Sequence, residues 1–242
     1  MANIIVYMTD IHGDVELCEK LLEAARGRNV GAVIMGGDIT PFTQFILEGN
    51  IQNQREFLQE YLIPRLELFK KEVGKPVFLM MGNDDFMVNI DVLNRAEENG
   101  VVKVLHNKTH KLFGFDIVGY SFVNPTPFMI KDWEKNEVGI KKELEKLTNG
   151  CKPGKFIFVS HAPPFRTKLD MLYDGSHVGS TAIRHIIEKK KPYLSLHGHI
   201  HESHYISSSP TDRINETMCI NPGSGKLTVV DLDNLKQVVV AD

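Results

Sequence analysis

The sequence predicts an α/β fold in which polar loops gather at one edge of a β-sheet. Three observations support this prediction. Short apolar, β-rich segments recur along the 242 residues, most of them end in a short polar cluster, and an amphipathic stretch with helical spacing separates the first two. Because ligands of open α/β sheets bind beyond the carboxyl ends of the strands, the clusters are expected to meet at one site.

The first half of the chain reads as alternating strands and helices. Strands are predicted at residues 4–8, 32–35 and 77–81, and a crossover helix at residues 14–28. Residues 41–52 are predicted to be irregular and to lead into a helix that Pro64 kinks or splits. A further helix over residues 91–98 is expected to end at Asn99-Gly100.

The second half is richer in short β segments. A second sheet is predicted to begin at residues 101–105 and to continue through residues 111–122. Residues 133–147 predict a helix that packs on one face. Later strands are predicted at residues 156–159, 193–196, 217–220, 226–231 and 236–240. No linker or repeat divides the chain, so one domain over residues 1–242 is expected.

Six short polar clusters supply residue types that bind divalent metals. They are Asp10-Ile11-His12, Gly36-Gly37-Asp38, Gly82-Asn83-Asp84-Asp85, Ser160-His161, Gly198-His199-Ile200-His201 and Asn221-Pro222-Gly223-Ser224. Carboxylate and imidazole ligands together suit manganese, iron, zinc, cobalt and nickel. Side chains two residues apart on an extended segment point to the same side, so Asp10 and His12 are expected to share one side of such a segment. The recurrence of such clusters predicts a metal centre.

Composition argues against several other classes. The 28 Lys plus Arg nearly balance the 31 Asp plus Glu, with no block of like charge, so neither a nucleic-acid-binding surface nor a membrane partner is predicted. The first apolar run is too short for a membrane span or a signal sequence, so a cytoplasmic location is expected. Cys18, Cys151 and Cys219 are far apart, which predicts inert thiols rather than disulfides or a thiolate zinc site.

The order and spacing of the clusters resemble those of the calcineurin-like metallophosphoesterases. The family pattern is D-x-H, G-D, G-N-[H/x]-[D/E], a single H and G-H-x-H, and it is matched between residues 10 and 201. The cluster that begins at Asn221 resembles a further signature of the small prokaryotic members. The resemblance implies a four-layer αββα sandwich, in which two mixed β-sheets are flanked by helices.

The resemblance also implies how two divalent ions would be held. It assigns Asp10, His12 and His201 to one ion, Asn83, His161 and His199 to the other, and Asp38 to the bridge between them. Two such ions about 3.5–4 Å apart acidify a bridging water, so the implied nucleophile is hydroxide. Asp38 and His161 then have catalytic roles, Asn83 also contacts the substrate, and manganese is the expected metal, with iron, zinc, cobalt or nickel as alternatives.

Position 84 departs from the family pattern. Many members carry a His there that is thought to protonate the leaving group or steady the phosphate, whereas this chain has Asp84 followed by Asp85. The departure resembles small bacterial and archaeal relatives that favour phosphodiesters. An ionised Asp84 is expected to repel a monoester dianion more than a diester monoanion. Alternatively, Asp85 and the substrate hold Asp84 protonated, and it acts as a general acid.

Candidate substrate contacts also lie between residues 163 and 180. His177 is expected either to contact the substrate or to stabilise its loop, and the helix that Ser180 opens can offer N–H groups to an anion. Arg166 and Lys168 either reach a phosphate or form a solvated basic pair. We expect the loop of residues 163–179 to close over the substrate.

The remaining aromatic residues and histidines are predicted to be structural. His197 is expected to be a hydrogen-bonded residue at a strand end, and His106 an ordinary surface or packing residue. Phe42 and Phe45 are expected in the core, and Trp133 is expected to fix a helix.

The predicted function is a dinuclear metal-dependent phosphoesterase with a small-molecule phosphate ester as its partner and a preference for phosphodiesters. A phosphomonoesterase or a nuclease of the same fold is an alternative, although a nuclease should carry a basic groove. A non-catalytic scaffold is another alternative, because one retromer subunit keeps this fold for protein binding. A scaffold, however, has little need of the complete ligand set. The sequence sets neither the natural substrate nor the oligomeric state.

Overall fold

The computed structural model describes residues 3–42, 47–128, 131–236 and 238–241. These residues form two six-stranded mixed β-sheets. One apolar cluster lies between the sheets, and two others join the outer faces of the sheets to helices. The architecture confirms the predicted α/β sandwich of four layers.

Strands from both ends of the chain share the first sheet. In chain order the described strands are β1 (Ile4–Met8), β2 (Val30–Gly36), β3 (Val77–Met80), β4 (Lys103–Val104), β5 (Thr109–Leu112), β6 (Phe115–Tyr120), β7 (Phe156–Ser160), β8 (Leu194–Leu196), β9 (Thr211–Ile214), β10 (Thr217–Ile220), β11 (Leu227–Asp231) and β12 (Val238–Ala241). The sheet orders are β12-β11-β1-β2-β3-β4 and β5-β6-β7-β8-β10-β9. The central strands of each sheet are parallel, so polar clusters at their carboxyl ends share an edge.

Helices cover the two outer faces. The described α-helices are α1 (Val15–Ala25), α2 (Leu47–Glu56), α3 (Ile63–Val73), α4 (Ile90–Glu98), α5 (Glu137–Leu147), α6 (Thr181–Lys190) and α7 (Ser203–Ile206). Apolar residues of α1, α3 and α4 pack on the first sheet, and those of α5 and α6 pack on the second. Of the described helices, none combines the length and apolar character that crossing a bilayer would need.

Some predicted boundaries are wrong. The segment assigned to the start of the second sheet instead forms β4, which pairs in parallel with β3 in the first sheet. The stretch 41–52 is not wholly irregular, because α2 already begins at Leu47. The helix predicted from residue 133 begins only at Glu137, because the Asn136 side chain accepts a hydrogen bond from the Gly139 N–H and caps it. Phe45 lies outside the described residues.

The effect predicted for Pro64 is confirmed. A π-helical turn (Phe57–Leu62) separates α2 from α3, and Pro64 lies in the first turn of α3. The helix continues from the π-helical turn, in which the Ile63 N–H donates to the Leu58 carbonyl oxygen, into α3. Pro64 has no N–H, so it removes one backbone hydrogen bond where the two helical segments meet.

The three cysteines are free thiols, as predicted. Cys18 and Cys219 are buried, and burial raises the pKa of each thiol to about 12. The thiolate is the reactive form of cysteine, so both thiols are inert near neutral pH.

Candidate metal centre

The loops that carry the predicted ligands have unusual backbone conformations. Asp10, His12, Asp38 and His199 have φ angles of 55°, 50°, 48° and 68°. Residues with a side chain rarely adopt this left-handed region, which costs of the order of 1 kcal/mol or more each. The expectation that Asp10 and His12 share one side of an extended segment is therefore wrong. Tight turns just beyond the strand ends aim both side chains.

Backbone hydrogen bonds join the turns after β1 and β2. The Asp10 N–H donates to the Gly37 carbonyl oxygen at 3.0 Å, and the His12 N–H donates to the Asp38 carbonyl oxygen at 2.9 Å. Gly82 leaves room for this arrangement, because a Cβ atom there would lie 2.4 Å from Asp38 Oδ1. The glycine ahead of Asn83 thus permits the close approach of two predicted ligand loops.

Asp10, His12 and His201 form one group of potential metal ligands. One ligand atom from each lies within 4.8 Å of the others. Asp10 Oδ1 is 3.1 Å from His201 Nε2, and its carboxylate accepts the His199 N–H at 3.1 and 3.2 Å. Burial opposes the charge of Asp10, but His201 and His161 outweigh burial and lower the pKa of this carboxyl group. Asp10 is therefore an ionised carboxylate in a fixed orientation, as a metal ligand requires.

Asp38, His161 and His199 form a second group within the same distance limit. His161 Nδ1 lies 3.0 Å from the Gly36 carbonyl oxygen, which fixes Nδ1 as the donor and turns Nε2 towards Asp38 Oδ2 at 3.1 Å. Among the described residues, His161 Nε2 and the buried Asn83 Oδ1 have no hydrogen-bond partner. Buried polar atoms are rarely left unpaired. A divalent cation would satisfy both atoms, so the donor set fits the implied metal centre.

Asp38 connects the two groups. Its carboxylate belongs to the group with His161 and His199. It also lies within 4.8 Å of ligand atoms of His12 and Asp84. Asp38 Oδ1 also accepts the Asp84 N–H at 2.7 Å, which fixes the rotamer. The structure thus places Asp38 where one carboxylate can serve two ions.

The protonation states reflect concentrated negative charge. Burial opposes protonation of His161, but Asp38 and Asp10 outweigh it and raise the pKa of His161 to about 9. Burial and the neighbouring His161 lower the pKa of His199 to about 3. Burial opposes the charge of Asp38, yet His161 holds the pKa of Asp38 well below its usual range. Metal ligation requires neutral imidazole, so metal binding at this site is linked to proton release.

The last polar cluster supports the ligand loops. Asn221 Nδ2 lies 3.1 Å from the Gly198 carbonyl oxygen and 3.0 Å from that of Ile200. Ser224 Oγ donates to the Asp10 carbonyl oxygen at 2.8 Å. The two residues therefore connect the loop of His199 and His201 to the loop of Asp10.

Lys131 is a residue of the site that sequence analysis missed. Its ammonium group donates to the Asp84 carboxylate, which also accepts a hydrogen bond from Asn83 Nδ2 at 2.9 Å. The Lys131 side chain is only 6% exposed, and Nζ lies 4.2 Å from the centre of the Phe42 ring. Phe42, predicted to belong to the core, lines the cavity instead. A lone lysine in a loop without a motif gives no sequence signal for this role.

Asp85 does not hold Asp84 in the way proposed. Its carboxylate accepts N–H groups from Ile39, Thr40 and Gly82 at 3.2, 2.9 and 2.8 Å. Burial and Asp38 raise the pKa of Asp85 to about 6. The Asp85 carboxylate therefore stabilises the ligand loops by accepting these N–H groups. Because its oxygens are used in this way, Asp85 does not keep Asp84 protonated, and the general-acid alternative for Asp84 is not supported.

The two ligand groups open into a cavity of about 610 Å³. It is lined by Asp38, Phe42, Asn83, Asp84, Asn124, Pro125, Thr126, Pro127, Phe128, Lys131, Leu172, His177, Val178, Gly179, His199, Ile200, His201 and Glu202. Its size is typical of a small-molecule site. Its lining combines polar residues of the ligand loops with aromatic, proline and aliphatic residues.

Arg166 and Lys168 do not line this cavity. Both side chains are exposed, and the loop runs around the fully buried Asp170. The Arg166 N–H donates to Asp170 Oδ2 at 3.0 Å, and the Lys168 N–H donates to Asp212 Oδ2 at 2.9 Å. The predicted phosphate contacts are therefore not in place. These anchors also argue against the predicted closure of the loop as a lid.

The start of α6 is already occupied. Glu137 accepts the N–H groups of Thr181 and Ala182 at 2.9 and 2.8 Å and the Ser180 hydroxyl at 2.8 Å. The prediction that this helix start receives a substrate anion is therefore wrong, because a carboxylate from α5 already satisfies these donors.

Two histidines are structural, as predicted. His197 is buried at the end of β8, where Nδ1 lies 3.0 Å from the Ala162 carbonyl oxygen and Nε2 lies 2.7 Å from Ser195 Oγ. His106 packs against the buried Trp133 ring with 4.7 Å between ring centres. Neither residue belongs to the two ligand groups.

The chain was compared with known proteins by sequence and by fold. Residues 4–203 match the sequence profile of the calcineurin-like phosphoesterases. No curated protein matches the chain. One crystal structure, of a 20% identical protein, has a TM-score of 0.74 and covers 100% of this chain and 99% of that chain.

Two further solved structures show a similar fold. The protein TT1561 of Thermus thermophilus is 15% identical, with a TM-score of 0.71 over 100% of this chain and 99% of that chain. An archaeal phosphodiesterase is 13% identical, with a TM-score of 0.52 over 98% of this chain and 99% of that chain.

Proposed function

Because the chain belongs to the calcineurin-like phosphoesterase family, whose profile matches residues 4–203, we propose that it is a phosphodiesterase that uses two divalent metal ions. The family is metal-dependent, and the observation that carries the proposal is the meeting of two ligand groups at Asp38. A buried carboxylate within 4.8 Å of ligand atoms of His161 and His199 in one group and of His12 in the other is the arrangement that a dinuclear centre needs.

Seven side chains would hold the ions. They are Asp10, His12, Asp38, Asn83, His161, His199 and His201. When bound, the ions would acidify water and offset phosphoryl charge. Four imidazoles, two carboxylates and one amide oxygen form a mixed nitrogen and oxygen set, which suits manganese, iron, cobalt or zinc. We propose manganese as the first metal to test.

The cavity supports a substrate with organic groups on the phosphate. Phe42, Pro127 and Phe128 are apolar residues that line the cavity, and Phe128 is 62% exposed at the surface. A volume of about 610 Å³ leaves room for both substituents of a diester. We propose a small-molecule diester as the substrate, a choice that agrees with the name of the archaeal phosphodiesterase of similar fold.

Charge near the ligands also supports a diester. Lys131 neutralises Asp84, so this pair adds no net positive charge that would attract a second phosphate charge. A monoester dianion needs more compensation than a diester monoanion. The Asp84–Lys131 pair thus favours the diester through a lack of positive charge, rather than through simple repulsion by Asp84.

The test is a metal-dependent assay of two chromogenic substrates. Protein stripped with a chelator and reloaded with manganese should hydrolyse bis(p-nitrophenyl) phosphate with a higher kcat/KM than p-nitrophenyl phosphate. Asp38→Asn should lower the diester rate at least about 100-fold and reduce bound metal, because the shared ligand loses its charge. Asp233→Asn, at an exposed carboxylate, is the matched control. A folded parent protein that binds metal but hydrolyses neither substrate would favour the scaffold alternative.

A further inference from the structure

A leaving group with a high pKa needs a proton donor, and position 84 does not supply one. Where many relatives carry a His, this chain has Asp84, whose carboxylate accepts hydrogen bonds from Lys131 and Asn83. An ionised carboxylate in such contacts is an acceptor rather than an acid. If the proposed hydrolysis takes place, another residue at the cavity must protonate the departing oxygen.

His177 has the geometry of an oriented proton donor. It lines the same cavity as Asp38, Asn83 and His199, and its side chain is 30% exposed. His177 Nδ1 lies 2.7 Å from Asp170 Oδ1, so Nδ1 carries a hydrogen and donates it to this carboxylate. Within the described part of the chain, no hydrogen bond involves Nε2, which leaves this atom for a substrate.

Asp170 is itself rigidly held. It is fully buried, and its carboxylate accepts the N–H groups of Arg166, Thr167 and Gly179 at 3.0, 2.8 and 3.0 Å. A carboxylate fixed by backbone donors cannot turn away from His177. The contact of Nδ1 with this carboxylate fixes the orientation of the imidazole ring.

We propose that His177 is the general acid of the phosphodiester hydrolysis and that Asp170 is its positioning residue. Water attacks phosphorus, the new P–O bond forms, and the P–O bond to the leaving group breaks. The departing oxygen takes the proton of His177 Nε2 together with the bonding electron pair. The attacking water releases its proton to solvent, and His177 later regains a proton from solvent. The proposal rests on the proposed phosphodiesterase activity.

The experiment varies the leaving group. Manganese-loaded protein is assayed on methyl aryl phosphates whose phenols range from p-nitrophenol to phenol. His177→Gln should lose about 100-fold in kcat/KM on methyl phenyl phosphate, since general acid catalysis contributes factors of this size. It should lose less than about threefold on the p-nitrophenyl ester, whose leaving group departs without a proton. His185→Gln, on α6 and outside the cavity, is the matched control and should behave as the parent protein.

The outcomes separate this inference from the proposed function. Normal metal-dependent activity of the parent, with an equal loss or no loss in His177→Gln across all leaving groups, would overturn the inference alone. A parent protein that is inactive on every ester would overturn the proposed function and the inference together. Asp170→Asn should lower kcat on the phenyl ester with little change in KM. If that variant does not fold, the leaving-group measurements on His177→Gln still test the proposal.

A measurement without turnover provides a second test. Protein labelled with ¹⁵N-histidine and loaded with zinc is titrated with inorganic phosphate while the imidazole resonances are followed. The Nε2 resonance of His177 should shift on phosphate binding, whereas that of His185 should not. An unchanged His177 resonance at saturating phosphate would show that this nitrogen does not reach the phosphoryl group, and would contradict the proposal.

Discussion

The ammonium group of Lys131 donates a hydrogen bond to the carboxylate of Asp84 beside the candidate metal centre. Sequence motifs identify Asp84 but give no sign of Lys131. The pair is partly buried, so its charges interact more strongly than an exposed pair would. The electrostatic effect of position 84 on a substrate therefore depends on both residues.

Lys131→Met should increase the preference for diesters. Removal of the ammonium leaves the Asp84 charge uncompensated next to the phosphate, and this charge penalises a dianion more than a monoanion. The ratio of kcat/KM for bis(p-nitrophenyl) phosphate to that for p-nitrophenyl phosphate should rise by about tenfold, which corresponds to about 1.4 kcal/mol. Lys168→Met is the control, because Lys168 is exposed outside the cavity. An unchanged ratio would mean that Asp84 does not face the substrate.

Asn221→Ala should destabilise the protein and loosen the metal site. The Asn221 amide satisfies buried carbonyl oxygens in the loop of His199 and His201, and truncation leaves them unpaired. The free energy of unfolding should fall by about 2–3 kcal/mol, because unsatisfied buried polar groups are costly. Urea denaturation measures the loss, and Asn149→Ala, at an exposed position, should change it little. Equal stability of the two variants would show that Asn221 does not support these loops.

His106 should make the protein less stable in mild acid. Burial lowers the pKa of His106 to about 4, whereas an unfolded chain has the ordinary value near 6.5. The unfolded state therefore binds a proton first as the pH falls. The contribution is fully present above about pH 6.5 and is lost progressively towards pH 4.

The matched variant for this effect is His106→Gln, which stays neutral throughout. Between pH 7 and pH 5, the parent should lose about 2 kcal/mol more of its unfolding free energy than the variant. Denaturant melts at both pH values measure the difference. Parallel losses in the two proteins would show that His106 is accessible to protons in the folded state.

The clustering of the candidate ligands could be predicted from the sequence, because each sits in a short cluster directly after an apolar strand. To predict where residues such as Asp38 and His161 lie, only the ends of the strands must be identified correctly. Those ends follow from local patterns of apolar residues. The way in which the side chains approach one another nonetheless differs from the prediction. Left-handed turns at Asp10 and His12, rather than an extended strand, aim these side chains, and such turns are unusual for residues other than glycine.

Contacts between distant loops could not be predicted in this way. Lys131 meets Asp84 across 47 positions of sequence, and Glu137 caps α6 from 44 positions away. Neither contact has a local signal, since each depends on how two sheets and their loops pack together. The same holds for residues 163–179, which were expected to close over the substrate but are anchored by the buried Asp170.

The proposed function depends on two divalent ions that bind on either side of Asp38. Anomalous diffraction from crystals grown with manganese would locate both ions. We expect two anomalous peaks about 3.5–4 Å apart. One should contact Asp10, His12 and His201, the other should contact Asn83, His161 and His199, and the Asp38 carboxylate should contact both. A single peak, or peaks away from Asp38 in crystals saturated with manganese, would contradict it.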